Sequence, residues 1–303
     1  MPISVAAPPQ RVPVFSGFDY VTIDEARHRA YAAHSASKRL LIVDTSDGKV
    51  FGQVDVGPMH GLAVDPPTGD VFTGNGTDQT LSKVDPQTMK VLASVTVPGN
   101  IDAIAYDPSR KRVYADQDGG GSVYVIDGAA MKLVATIAMP ADDLESPAVD
   151  PKTGTLYQNL ANGGGFAVVD PATLKVVKVV KTPQLQDNHP LVFAPGANQV
   201  LAGGVNGVLS AYTPAGTHVG DATVQPHIDQ CSTGSRGDLV VCAGRGIVTV
   251  ISARSGAAPR VLGRFDTGQH GLHTAGIDES TGDIWIVYGD AHGDWVQRLR
   301  WTP

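Results

Sequence analysis

Short apolar runs of about four to eight residues recur along the whole chain, each bounded by Gly, Pro, Asp or Asn. The clearest unit spans residues 59–99. Its first apolar run closes at Asp65, a Pro-Pro-Thr-Gly turn follows, and three further runs are separated by turns at residues 74–76 and 86–88. Strands of this length joined by tight turns pair as hairpins, so the unit predicts a four-stranded antiparallel meander.

The same arrangement recurs along the chain. The first strand of a unit closes on Asp at five positions: Asp24, Asp65, Asp107, Asp150 and Asp278. Two units, around residues 192–194 and before residue 237, lack this Asp. Seven repeats of about forty residues with no sustained helical period predict an all-β fold, a seven-bladed β-propeller. We expect a single domain over residues 1–303, with blades at about 18–57, 58–99, 100–140, 143–183, 187–225, 226–268 and 269–303 plus 11–17.

The two ends of the chain complement each other. The last repeat supplies three strands and then stops, whereas residues 12–15 have the pattern of the end of a fourth strand. We therefore expect the N-terminal strand to complete the C-terminal blade, which pairs two open edges and closes the ring. Pro13 suits an outermost strand, where a missing N–H is harmless.

One repeat also resembles a known family. Residues 123–127, Val-Tyr-Val-Ile-Asp, are followed by Met-Lys-Leu at 131–133, and this phrase is similar to the YVTN-type, YncE-like seven-bladed propellers. The resemblance covers nearly the whole chain but is carried by scaffold residues, so it implies a fold rather than a chemistry. Members of that family are largely bacterial and archaeal, are often exported, and serve as binding modules or enzymes.

Acidic residues and histidines occupy one equivalent position in the repeats. Five residues before the end of the first strand lie Asp19, His60, Asp102, Glu145, His189 and His273, and the sixth repeat offers His227 or Asp229. Asp, Glu and His together make up only 39 of the 303 residues. Random placement would therefore rarely put one of them at every one of these equivalent positions. Since the innermost strands of a propeller line its channel, these side chains should converge at one mouth of the axis.

Converging imidazoles indicate a transition-metal site. We predict that His60, His189, His227 and His273 bind one divalent ion (Zn, Fe, Mn or Cu), with His270 as a substitute for His273. Asp19, Asp102 and Glu145 would orient these imidazoles or accept protons. At the rim of the same face, His34 and Arg245 are further candidates, and Arg245 could bind a substrate carboxylate. The alternative is that the polar channel residues hold ordered water.

Three kinds of function follow from this interpretation. The first is a metal-dependent lyase or hydrolase acting on a small molecule. The second is an oxidoreductase or oxygenase, because four imidazoles on a propeller axis resemble the iron site of carotenoid-cleaving oxygenases. The third is a non-catalytic binding module for a ligand or protein. A lactonase is a weaker option, since no motif of such enzymes is present.

Composition limits the partners. The net charge is −7 and the basic residues form no cluster, so nucleic acid is not an expected partner. No apolar run of about 20 residues exists, so we expect no membrane partner. We expect a monomer that acts on a small molecule. Cys231 and Cys242 fall in one repeat, either as a disulfide or as buried thiols. We expect a periplasmic or secreted protein, with a cytoplasmic one as the alternative.

Overall fold

The computed structural model describes residues 2–13 and 17–303. Nearly every ordered element within them is a β-strand, and the strands form seven antiparallel sheets. The structure therefore confirms the all-β, seven-bladed propeller. Two single turns of 3₁₀ helix, Glu25–Arg27 and Gly76–Asp78, lie between strands of the first two blades.

No helix in the described part of the chain is long and apolar enough to cross a lipid bilayer.

Strands are numbered in chain order, beginning with two short N-terminal strands, β1 (Ile3–Val5) and β2 (Gln10–Val12). The first blade contains β3 (Val21–Asp24), β4 (Arg29–His34), β5 (Arg39–Asp44) and β6 (Val50–Asp55). The second contains β7 (Leu62–Val64), β8 (Val71–Asn75), β9 (Thr80–Asp85) and β10 (Lys90–Thr96). The third contains β11 (Ile101–Asp107), β12 (Arg112–Gln117), β13 (Ser122–Asp127) and β14 (Lys132–Ala138).

The remaining blades follow the same plan. The fourth contains β15 (Leu144–Val149), β16 (Leu156–Leu160), β17 (Gly165–Asp170) and β18 (Lys175–Lys181). The fifth contains β19 (Asn188–Ala194), β20 (Gln199–Gly204), β21 (Val208–Tyr212) and β22 (His218–Thr223). The sixth contains β23 (Gln230–Thr233), β24 (Leu239–Gly244), β25 (Ile247–Ser252) and β26 (Arg260–Asp266). The seventh contains β27 (Ala275–Asp278), β28 (Asp283–Asp290) and β29 (Gly293–Trp301).

The first strand of each blade is the innermost. Each of these strands packs against the first strand of the next blade, and β27 packs against β3, which closes the ring around a central channel. In each of the first six blades, the chain then runs outward through the sheet in strand order. Residues just before an innermost strand therefore lie at one mouth of the channel.

The N-terminus closes the seventh blade. Both β1 and β2 pair antiparallel with β29, where Ile3 lies opposite Trp301 and Val12 lies opposite Asp294. The predicted closure is thus confirmed, but the pairing segments differ from the prediction. Pairing with β29 begins at Ile3 rather than near residue 11. Pro13 lies just beyond β2. Residues 14–16 of the predicted strand are outside the described residues. Two short strands replace one because the edge of the long strand β29 accommodates both.

The Asp that closes many strands has a structural role in the turn that follows. Asp107 Oδ1 accepts the backbone N–H groups of Ser109 and Arg110, and Asp127 Oδ1 accepts those of Ala129 and Ala130. Carboxylates that accept backbone groups two or three residues ahead stabilise tight turns. The repeated Asp residues therefore belong to the scaffold rather than to the site.

The hydrophobic core lies between neighbouring blades. Phe72 of the second blade stacks on Tyr106 of the third at 5.1 Å between ring centroids, and Tyr31 and Tyr114 on second strands are fully buried. Burying a side chain of this size contributes about 2 kcal/mol. These inter-blade layers hold the innermost strands at fixed positions around the axis.

Cys231 of β23 and Cys242 of β24 lie directly opposite each other and form a disulfide. The sequence left this point open. The bond ties the innermost strand of the sixth blade to its neighbour, immediately after the residues that reach the channel mouth.

Candidate functional site at the propeller axis

A cavity of about 460 Å³ opens at the mouth of the channel where the innermost strands begin. Every blade contributes to its wall. The residues that occupy the equivalent position of the seven repeats all line it: Asp19, His60, Asp102, Glu145, His189, Asp229 and His273. The sequence could not decide between His227 and Asp229 in the sixth blade, and the structure places Asp229 in this cavity.

Three residues from successive blades form its tightest polar cluster. Asp19, His60 and Asp102 each offer one ligand atom, and these atoms lie within 4.8 Å of one another. His60 Nδ1 is 2.7 Å from Asp19 Oδ2 and 3.8 Å from Asp102 Oδ1. Two carboxylates and an imidazole are a ligand set suited to a divalent metal ion.

Local packing orients these groups. A Cβ atom on residue 76 would lie 2.8 Å from His60 Cδ2, so Gly76 allows the imidazole to lie against the backbone with Nδ1 toward Asp19. Gln230 Nε2 donates to Asp19 Oδ1 at 2.6 Å. Gln230 directly follows Asp229 of the ring, but no repeated pattern in the sequence pointed to it.

The charges of this cluster influence one another. The hydrogen bond to the Asp19 carboxylate raises the pKa of His60 above its ordinary value. Burial raises the pKa of Asp102 to about 6, and the charge of Asp19 acts in the same direction. A proton on His60 or Asp102 and a metal ion would therefore compete for the same atoms.

A second group lies on the opposite wall. His189 Nε2 is 3.1 Å from Asp229 Oδ1 and 3.7 Å from Glu145 Oε2. Burial opposes a charge on this imidazole, but the hydrogen bond to Asp229 and the charge of Glu145 outweigh it and raise the pKa of His189 to about 9. Burial raises the pKa of Glu145 to about 8, because the opposing charge of His189 only partly compensates for lost hydration.

A buried network supports this wall from below. Asp116 accepts the Ala103 N–H at 2.7 Å and the Gln158 amide at 3.1 Å, and Gln158 Nε2 also donates to the Glu145 carbonyl at 2.8 Å. Burial, with the nearby charge of Asp102, raises the pKa of Asp116 well above its ordinary value. No repeated pattern in the sequence pointed to Asp116 or Gln158, which lie on the second strands of the third and fourth blades.

The cavity has a floor. Tyr20 Oη and Ser146 Oγ are 3.2 Å apart. Ser146 lies where the β15–β16 register shifts, between Glu145 and Pro147, and has a φ of 28°. This irregularity directs Glu145 and Ser146 to the channel in succession. A further cavity of about 380 Å³ below includes both Tyr20 and Ser146 in its lining.

A smaller cavity of about 360 Å³ adjoins the axial one. His189, Asp229 and His273 line both cavities. His227 and Arg245 line only the smaller one, together with His270. The structure therefore places Arg245 at the rim of the predicted face, but it separates His227 from His60.

The predicted set of four histidine ligands is not brought together. Within the described chain, no three of His60, His189, His227 and His273 offer ring nitrogens within 4.8 Å of one another. His273 instead has Nδ1 at 3.2 Å from the Gly271 carbonyl. The carboxylates of the ring stand between these imidazoles, since His60 contacts Asp19 and His189 contacts Asp229.

His34 does not reach the cavity, contrary to the prediction from the sequence. It is fully buried, stacks on Phe18 at 4.5 Å, and places Nε2 2.5 Å from Asp294 Oδ2. It is the last residue of β4, and its side chain points between the first and seventh blades rather than toward the cavity. The predicted catalytic residue is therefore part of the packing that closes the ring.

Comparison with known proteins supports the architecture. No protein-family model matches the chain, and no curated protein matches it in sequence. Among solved structures, a chain of Kuenenia stuttgartiensis Hydrazine Synthase is similar, with a TM-score of 0.79, 16% sequence identity, and coverage of 97% of this chain and 99% of that chain. At this identity the likeness shows the fold alone, and the fold that the two chains share is the propeller.

Proposed function

We propose that the axial cavity is the active site of a metal-dependent enzyme, of lyase or hydrolase type, that acts on a small molecule. The observation that carries the proposal is the convergence of Asp19, His60 and Asp102, which line the cavity of about 460 Å³ and whose ligand atoms lie within 4.8 Å of one another. Three protein ligands leave positions open for water or substrate, as catalytic metal sites require.

The ion would act as a Lewis acid on a substrate oxygen or would activate a bound water. In hydrolysis, the oxygen of that water would form the new bond, and the leaving group would depart with the electron pair of the cleaved bond and take up a proton. In elimination, the ion would stabilise negative charge on an oxygen next to the reacting carbon, water held by the ion would accept the proton of that carbon, and the leaving group would depart with the electron pair of its bond and take up a proton. Either reaction requires a proton donor or acceptor on the opposite wall.

Glu145 and His189 supply that function. With a pKa of about 8, Glu145 holds a proton at neutral pH and can donate it to a leaving group. His189 is charged at neutral pH, held by Asp229, and would stabilise negative charge that develops on the substrate. The arrangement separates the metal-binding wall from the proton-donating wall across one cavity.

The four-histidine oxygenase alternative receives less support, because the imidazoles do not converge on one point. Membership of the YVTN-type family remains a proposal carried by the scaffold residues at 123–133. The Cys231–Cys242 disulfide supports the proposal that the protein works in an oxidising compartment such as the periplasm.

Elemental analysis tests the metal site. Protein purified without chelator, and chelator-treated protein reloaded with Mn²⁺ or Zn²⁺, should bind about one ion per chain. The double variant Asp19→Asn, Asp102→Asn should lose that ion. Asp118→Asn is the matched control, because Asp118 lines the same cavity outside the cluster. Equal metal binding by the double variant and the wild type would overturn the proposal, as would absence of any metal from the wild type.

A further inference from the structure

We propose that the 360 Å³ cavity beside the axial site is a subsite for a carboxylate group of the substrate, with Arg245 as its anion-binding residue. The proposal rests on the proposed function for the reacting end of the substrate, and it adds the chemical class of that substrate. The substrate would be a small carboxylic acid that carries a cleavable group near the carboxylate.

Arg245 is available for such a contact. It is exposed, lines the cavity, and makes no ion pair or hydrogen bond with any residue that the structure describes. A guanidinium has five donors in a planar fork that matches the two oxygens of a carboxylate. His227 and His270, both exposed, line the same cavity and provide further donors.

The turn that carries Arg245 fixes its position. Gly244 pairs with Ile247, so Arg245 and Gly246 are the two loop residues of a hairpin, with φ of 47° and 85°. Positive φ at both loop residues is the conformation of a two-residue hairpin turn. A Cβ atom on Gly246 would lie 2.9 Å from the Gln269 carbonyl, so the loop also packs closely on its neighbour. The short, tightly packed loop therefore holds the base of the Arg245 side chain at the edge of this cavity.

The acidic residues of the cavity limit the ligand. Asp229 is engaged by His189 at 3.1 Å, whereas Asp187 is exposed and lies beyond ion-pair distance of Arg245. A polyphosphate would bring several charges close to Asp187 and Asp229. One carboxylate group can meet Arg245 with less repulsion than a polyphosphate, so the cavity favours a carboxylate at this position.

The shared wall connects the subsite to the chemistry. His189, Asp229 and His273 line both cavities. A molecule anchored at Arg245 therefore extends across this wall toward Glu145 and the metal-binding cluster. Fixing one end of a substrate in this way positions the other end for reaction.

Ligand binding to chelator-treated protein tests the subsite without the metal. The probes are succinate, its neutral diamide succinamide, and inorganic phosphate, each titrated by calorimetry or ligand-observed NMR. Wild type should bind succinate at least tenfold more tightly than Arg245→Gln does, and succinamide should not bind. Arg254→Gln, an exposed arginine of a different cavity, is the matched control and should bind succinate as wild type does.

The outcomes separate the two proposals. Equal succinate binding by wild type and Arg245→Gln, or succinamide binding as tight as that of succinate, would overturn the subsite. Tighter binding of phosphate than of succinate would overturn the carboxylate assignment. If one ion still binds the cluster when succinate does not bind, only the subsite fails. If succinate binding depends on Arg245 while no metal binds, the subsite stands and the metal-dependent function fails.

Discussion

Tyr20 and Ser146 meet across the propeller axis, with 3.2 Å between their hydroxyl oxygens. Tyr20 precedes the innermost strand of the first blade and Ser146 lies in that of the fourth, so the contact spans the channel rather than joining neighbours. Burial and the charges of Asp102 and Asp19 raise the pKa of Tyr20 well above its ordinary value, so the phenol stays protonated. The pair separates the polar mouth from the channel below.

A double-mutant cycle tests this contact. Tyr20→Phe and Ser146→Ala should each lower the free energy of unfolding by about 1 kcal/mol, because each removes one partner of a hydrogen bond. The double variant should lose less than the sum of the two, since the second change removes a bond already broken. Urea unfolding measures all three. Strict additivity, as expected for the distant pair Tyr288→Phe and Ser146→Ala, would contradict the contact.

Asp19→Asn should lower the pKa of His60 in chelator-treated protein, because the carboxylate that accepts the Nδ1 proton is lost. Titration of the His60 ring by NMR measures this change. The folded pKa of His60 lies above its unfolded value of about 6.5. The contact therefore stabilises the fold fully below that pH, and its contribution is lost as the pH rises through the folded value.

The control for this titration is Asp118→Asn. The charge of Asp118 also raises the pKa of His60, but it contributes less than Asp19. The shift should therefore be smaller than with Asp19→Asn. A larger shift from Asp118→Asn would contradict the assignment of Asp19 as the main partner.

Glu145→Gln should flatten the pH dependence of stability. The folded pKa of Glu145 is about 8 against an ordinary value of 4.5, so the folded state retains a proton that the unfolded state releases. The free energy of unfolding of the wild type should therefore fall as the pH rises from about 4.5 to about 8. Gln resembles the protonated acid and cannot ionise, so this part of the slope should vanish.

Urea unfolding of the Glu145→Gln variant and the wild type across this pH range gives the comparison. Asp102 and His189 titrate in the same region, and the difference between the two proteins isolates what depends on Glu145. If the free energies of unfolding of the two proteins changed in parallel with pH, Glu145 would not retain its proton in the folded state, which would contradict the raised pKa.

Replacing both Cys231 and Cys242 with Ser should lower the free energy of unfolding by about 3 kcal/mol, because the disulfide limits the freedom of the unfolded chain across a separation of 11 residues. Chemical denaturation measures the loss. The reduced wild type is the control and should lose a similar amount. Two reactive thiols in denatured, unreduced protein would contradict the bond.

Much of the fold was predictable because each blade is a local unit. Alternating apolar runs and turn residues set four strands in a row, and the strand-closing Asp residues stabilise the turns that follow. Even the fifth and sixth blades, which lack the first-strand Asp, form complete sheets. The prediction of the closing segment was less accurate, because no local sequence pattern indicates that Ile3–Val5 pairs with the distant strand β29.

The ring of residues at the channel mouth was also determined by the sequence alone, because equivalent positions of a repeat must lie at equivalent places around the axis. Which of them touch was decided only by the tertiary structure. The contact of His60 with Asp19, the choice of Asp229 over His227, and the burial of His34 depend on the ring's diameter and on side-chain packing between blades. These distances arise from contacts between residues far apart in the chain, and no pattern within one repeat encodes them.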